Sequence, residues 1–214
     1  MDRRNFIKNT LLAAAVLAGG GSVLSKTVKP AVSKEHKKMK ILVLTGSPRK
    51  NGNSNTLADY FIKGAEEAGH QVVRFDAAFK NVHPCIGCNS CGMDGPCVFK
   101  DDFEFVRQNI VDADMVVFAS PMYYFGLSAQ LKAVIDRFYA INGKIHVSKK
   151  AALLMTYANT AASQAEPIKS HYLTLIDYLG WSDAGQVIAS GVWPVGAVNG
   201  TKYVKQAYEL GKNA

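Results

Sequence analysis

Apolar positions recur along this chain in two rhythms, and their alternation predicts one sheet with helices on both of its faces. Lys40-Ile-Leu-Val-Leu-Thr45 is a short continuous apolar run, as expected of a central parallel strand covered on both sides. After it Leu57, Tyr60, Phe61, Ala65 and Ala68 fall at three- and four-residue steps, predicting a helix closed by Gly69. Gln71-Val-Val-Arg-Phe75 predicts a second strand. Beyond a cysteine-rich loop, Asp101 or Asp102 is placed to cap a helix with Phe103, Val106 and Ile110 on one face. Asp114 to Ala119 predicts a third strand, and Leu131, Val134, Ile135 and Phe138 mark the helix behind it. Ala151 to Met155 is a fourth strand, followed by a helix with Ile168, Tyr172, Leu175, Ile176 and Leu179. Gln186 to Ala189 reads as a fifth, with a last helix from about Thr201 to Leu210.

Strands alternating with helices in this way specify an α/β fold, a doubly wound five-stranded parallel sheet in three layers spanning residues 39–214. Ligands of such sheets sit beyond the carboxyl ends of the strands, where the strand order reverses. That rule selects the loops 46–56, 120–128 and 156–165.

The formal charge of +8 raises the question of nucleic acid. Residues 1–38 carry eight Lys and Arg against Asp2 and Glu35, which leaves a net charge of only +2 from Met39 onward. The basic character belongs to the leader, so a nucleic-acid reading loses its main support and no nucleic-acid partner is expected. Within 1–25, Arg3-Arg4-Asn5-Phe6-Ile7-Lys8 precedes an uncharged, mostly apolar stretch that is short for a membrane span and fits a signal-peptide core. The segment resembles a twin-arginine export signal, with Asp2 where Ser or Thr is usual. The resemblance implies an exported, periplasmic or otherwise extracytoplasmic protein, and a cytoplasmic one if the leader does not function. Membrane contact arises only through an uncleaved leader. Residues 26–38, rich in Lys, Pro, Ser and His, read as a linker.

Gly46-Ser-Pro-Arg-Lys-Asn-Gly-Asn-Ser-Asn-Thr56 joins the first strand to the first helix. Gly, Ser, Asn and Thr at a helix N-terminus aim amide and hydroxyl donors at one point with the helix dipole behind them, which suits a phosphate. Five residues separate Gly46 from Gly52 and Asn53 follows, so the spacing is not that of Walker A, and the Rossmann glycine pattern is absent. The loop resembles that of the flavodoxin-like NAD(P)H-dependent FMN reductases and, more closely, of the iron–sulfur flavoproteins. By that resemblance Ser47, Arg49, Asn53, Ser54, Asn55 and Thr56 bind the FMN phosphate region. Ser120-Pro-Met-Tyr-Tyr-Phe-Gly-Leu-Ser-Ala-Gln-Leu-Lys and the following Asp136-Arg137 resemble the second signature of the same family. Three successive aromatics in a loop are costly to expose. A flavin ring against Pro121, Met122, Tyr123, Tyr124, Phe125 and Gly126 would cover part of them, with backbone N–H groups of 123–126 meeting its polar edge. Lys132, Asp136 and Arg137 read as structural ion pairs. Thr156, Tyr157 and Asn159 are placed to approach the ring.

All four cysteines fall in Cys85-Ile-Gly-Cys88-Asn-Ser-Cys91-Gly-Met-Asp-Gly-Pro-Cys97. The opening C-x2-C-x2-C is that of ferredoxin-type [4Fe–4S] ligation, and the whole spacing is similar to the compact motif of the iron–sulfur flavoproteins. Zinc, disulfides and free thiols stay open as alternatives. The five histidines have no partner at ligand spacing.

The resemblance implies an FMN-dependent oxidoreductase, with NAD(P)H as donor and a quinone or other small electrophile as acceptor. Two alternatives are an iron–sulfur flavoprotein carrier working between protein partners and a non-redox binding module on the same fold. No side chain is identified as a catalytic acid or base, because the flavin would carry the chemistry. Resemblance also implies a homodimer across the flavin site.

Overall fold

The computed structural model describes residues 37–214. The twin-arginine-type segment 1–25 and nearly all of the linker 26–38 lie outside the described residues. Five strands form one parallel sheet: β1 (Lys40–Thr45), β2 (Gln71–Asp76), β3 (Met115–Pro121), β4 (Lys150–Thr156) and β5 (Ser182–Ala189). Their order is β2-β1-β3-β4-β5, so the chain reverses its direction of winding between β1 and β3. Among the described residues six α-helices accompany them: α1 (Asn53–Glu67), α2 (Phe103–Asp112), α3 (Ala129–Asp136), α4 (Asn142–Ile145), α5 (Glu166–Tyr178) and α6 (Lys202–Lys212).

Alternation along each strand divides the interior into two cores. Ile41, Val43, Met115, Val117, Ala152 and Leu154 face α1 and α6, packing with Leu57, Phe61 and Ala65. Leu42, Leu44, Val116, Phe118, Leu153 and Met155 face α2, α3 and α5, packing with Phe103, Val106, Ile110, Leu131 and Ile168. Helices on both faces make three layers, as the alternation predicts.

Two local expectations change. Tyr60 is exposed at 39%, while Ala58 and Gly64 are buried beside Leu57, Phe61 and Ala65. The reason is α6, which lies against α1 at a crossing of two glycines. A Cβ at Gly64 would come within 2.1 Å of Tyr208 O, and one at Gly211 within 2.0 Å of Phe61 O. The helix after β3 stops at Asp136 and continues as a 3₁₀ segment over Arg137–Ile141, which keeps Phe138 in the core. Asp101 rather than Asp102 serves the start of α2, its Oδ1 accepting from the Phe103 amide at 3.1 Å. Asp102 accepts from the Asn81 amide instead.

Candidate active site: a cleft at the strand ends

The cleft opens beyond the carboxyl ends of β1, β3, β4 and β5 and encloses about 340 Å³. The first loop contributes Ser47, Arg49, Gly52, Asn53 and Ser54, and the β3 loop contributes Pro121, Met122, Tyr123 and Tyr124. Thr156, Tyr157 and Ala158 follow β4, and Val192 and Trp193 follow β5. Position at the switch point agrees with the strand-order rule.

Gly52 is the N-cap of α1 and has no side chain to offer the first turn. The amides of Asn53, Ser54 and Asn55 therefore lack an intrahelical acceptor and present the positive end of the helix dipole. Ser54 Oγ is buried with no hydrogen-bond partner among the described residues. Arg49 is exposed and carries no side-chain bond among them. A donor hydroxyl without an acceptor, an open helix N-terminus and one unspent guanidinium together fit an anionic phosphate.

Other members of the predicted set shape the loop through their side chains. Asn55 Nδ2 donates to Arg49 O at 3.0 Å and to Lys50 O at 3.1 Å, and Thr56 Oγ1 donates to Gly52 O at 3.3 Å. Neither residue lines the cleft. Ser47 Oγ accepts from the Arg49 amide at 3.2 Å. Asn53 does line it, but its side chain is spent on the loop after β5, donating to Val192 O and Pro194 O and accepting from the Val198 amide. Asn53 is thus a tie between two walls of the site.

The β3 loop turns back at Tyr123 and Gly126, whose amides bond each other's carbonyls at 3.0 Å in both directions. These two amides are unavailable to a flavin edge, which corrects the expectation for 123–126 and leaves those of Tyr124 and Phe125. Tyr124 and Phe125 hold φ of 44° and 64°, the left-handed pair of a type I′ turn. Aromatic side chains adopt that conformation at a cost, and such strain concentrates at functional sites. Tyr124 is fully exposed; Phe125 and Gly126 stand outside the cleft lining. The Met122 amide donates to Thr156 O at 2.8 Å, joining this loop to the one after β4. Gly46 binds the first loop to the same region, since a Cβ there would lie 2.3 Å from Ser128 Oγ. Asn159 folds back on its own loop, accepting from the Thr160 and Ala161 amides. Val192 and Trp193 escaped the sequence reading. A Trp shortly after a predicted strand end was the available signal.

A second cavity is lined by Cys85, Cys88, Cys91 and Cys97 together with Phe99, Arg137 and Tyr139. All four are free thiols, with Cys85 and Cys88 exposed and the other two half-buried. Gly87, Asn89, Gly92 and Met93 all hold positive φ, so the loop turns tightly between its cysteines. Hydrogen bonds from the Ser90 side chain and amide hold the Cys88 thiol below its ordinary value. Four thiols around one cavity are the donor set of a metal–sulfur centre. Among the described residues no three Cys, His, Asp or Glu side chains are grouped so as to hold a metal ion as they stand.

The ion pairs expected of Lys132, Asp136 and Arg137 on the helix after β3 are formed. Lys132 Nζ meets Asp136 at 2.5 Å on the surface of α3. Arg137 meets Asp101 at 2.9 Å with each side chain only 2% exposed.

Residues 39–194 match the sequence profile described as NADPH-dependent FMN reductase. An iron-sulfur flavoprotein of Archaeoglobus fulgidus is 30% identical over 174 residues, 81% of this chain and 77% of that one. One from Methanocaldococcus jannaschii is 37% identical over 99 residues, 46% of this chain and 51% of the relative, so the chain spans about half of its length. Among solved structures, the NAD(P)H:quinone oxidoreductase from Methanothermobacter marburgensis superposes with a TM-score of 0.68 at 20% identity, covering 83% of this chain and 96% of the other, a likeness of fold.

Proposed function

The chain belongs to the NADPH-dependent FMN reductase family, and from that premise we propose that it binds FMN in the strand-end cleft and carries electrons from NAD(P)H to a quinone or another small electrophile. The observation that carries the reading is Ser54 Oγ, buried without a partner at the open N-terminus of α1 with Arg49 alongside. Bound FMN would supply the redox chemistry, as a hydride acceptor or one electron at a time. No carboxylate, histidine or lysine lines the cleft among the described residues, so the chain's own contribution is grip and placement. Arg49, the α1 amides and Ser54 would hold the phosphate, and Tyr123, Tyr124 and Trp193 would flank the ring. Purified protein titrated with FMN and then NADPH tests this: stoichiometric flavin and its NADPH-dependent bleaching are expected, and protein that stays colourless in excess FMN refutes it.

A second reading is favoured by the four thiols around one cavity. In it Cys85, Cys88, Cys91 and Cys97 ligate a [4Fe–4S] cluster, and the protein relays electrons between protein partners. Iron and acid-labile sulfide after anaerobic purification, both lost in Cys91→Ser, support it; a flavin that NADPH cannot reduce favours the carrier over the reductase. Residues 1–25 are read as a twin-arginine export signal, tested by cell fractionation of Arg3→Lys with Arg4→Lys. Exposed Tyr124 and Phe125, with Trp193 at the cleft, support a homodimer that covers them, tested by sedimentation.

A further inference from the structure

Arg137 stands where the two ends of the cysteine loop meet. Its Nη1 donates to His83 O at 3.0 Å, two residues before Cys85, and its Nη2 reaches Phe99 O at 3.5 Å, two residues after Cys97. The rings of Phe99 and Phe103 lie 5.4 and 4.7 Å from the guanidinium carbon, and Asp101 accepts from both terminal nitrogens. Stem, charge and packing are thus all satisfied through the outer edge of the head. Its Nε is different: buried, with no acceptor among the described residues. Arg137 also lines the same cavity as the four cysteines. A buried donor of a charged group left unpaired is expensive, and native structures retain few of them.

We infer that Arg137 is a positioning residue for the cysteine loop and that its Nε–H is kept for a sulfur acceptor of the anionic iron–sulfur group the four thiolates hold. The inference rests on the cluster reading above. Four thiolates around an iron–sulfur core carry net negative charge, and a fixed buried cation stabilises them, the more so when an electron is added. Hydrogen bonding to the sulfurs acts in the same direction, so both effects raise the reduction potential. Lysine would keep the charge but lose the planar fork that spans both stem carbonyls and the Nε donor.

The full chain, reconstituted anaerobically with iron and sulfide, provides the test. Arginine labelled with 15N should give a nitrogen hyperfine coupling in the pulsed EPR spectrum of the reduced wild-type cluster, because Arg137 is the one arginine in the lining. Arg137→Lys should keep its FMN and circular dichroism, lose iron to a chelator at least several-fold faster, and show a lower cluster midpoint potential. A cluster without 15N coupling, or a folded Arg137→Lys protein with wild-type potential and chelator resistance, overturns the role of Arg137 alone. Wild-type protein that takes up no iron and sulfide overturns the cluster reading and this inference together.

Discussion

Asn53 Oδ1 accepts a hydrogen bond from the Val198 amide at 3.2 Å across 145 residues of sequence. Its Nδ2 donates to Pro194 O at 2.8 Å, so one side chain fastens the Trp193 loop to the first turn of α1. Asn53→Ala is expected to leave three backbone groups without their partner and to lower stability by about 2 kcal/mol. FMN affinity should fall with it, because one wall of the cleft is released. Chemical denaturation and flavin titration measure the two effects; wild-type values in both would show that the tie is dispensable.

Arg49 is exposed and has no structural bond to lose. Arg49→Ala is expected to weaken FMN binding by tenfold or more, roughly the 1.5–3 kcal/mol of a charge-assisted hydrogen bond. The melting temperature without ligand should shift little. Riboflavin, which lacks the phosphate, should bind the variant and the wild type equally. An equal loss for both ligands would place Arg49 away from the phosphate.

The turn at Tyr124 and Phe125 holds two aromatic residues where Asn-Gly is the favoured pair. Tyr124→Asn with Phe125→Gly should therefore stabilise the ligand-free protein by about 1 kcal/mol. Binding of the flavin should weaken at the same time as the ring loses its flank. A destabilised variant would show that contacts of the two rings outweigh the backbone strain.

Asp101 gives the protein a predictable response to acid. Burial pushes its carboxyl upward, but hydrogen bonds from Arg137 and from the His83 and Phe103 amides outweigh that and hold it below the ordinary value. A carboxyl depressed in the folded state stabilises above its unfolded value of about 4, and that stability is lost as pH falls through the folded value. Asp101→Asn leaves the buried Arg137 without its counter-charge, at an expected cost of about 3 kcal/mol at neutral pH. Its stability should also fall less steeply than the wild type's below pH about 4. Urea unfolding at several pH values checks both, and parallel acid limbs would exclude Asp101 as the responsible group.

The strands were legible because burial on both faces leaves uninterrupted apolar runs such as Ile41 to Leu44. The first loop was legible because its glycine, serine and asparagine content is local. What the sequence could not convey was use. Asn53 sits in the loop pattern, yet its bonds go to Val192, Pro194 and Val198, residues with no periodic relation to it. Tyr60 fits the helical spacing, but the second surface of α1 is claimed by α6 through Gly64 and Gly211, which carry no hydrophobic signal. The mutual bonding of Tyr123 and Gly126 depends on left-handed backbone at two aromatic residues, which composition argues against.

Backbone meeting backbone at Gly64 and Gly211 leaves no side chain between the two helices to act as a cushion. Their separation is set by peptide geometry, which is far stiffer than a layer of rotamers. The anion-binding end of α1 is therefore built on a braced strut, and its readiness for a ligand is a property of the empty protein. Capture at that end should carry little reorganisation cost, and substitution at either glycine would be felt as slackness some three turns away, where the anion is held.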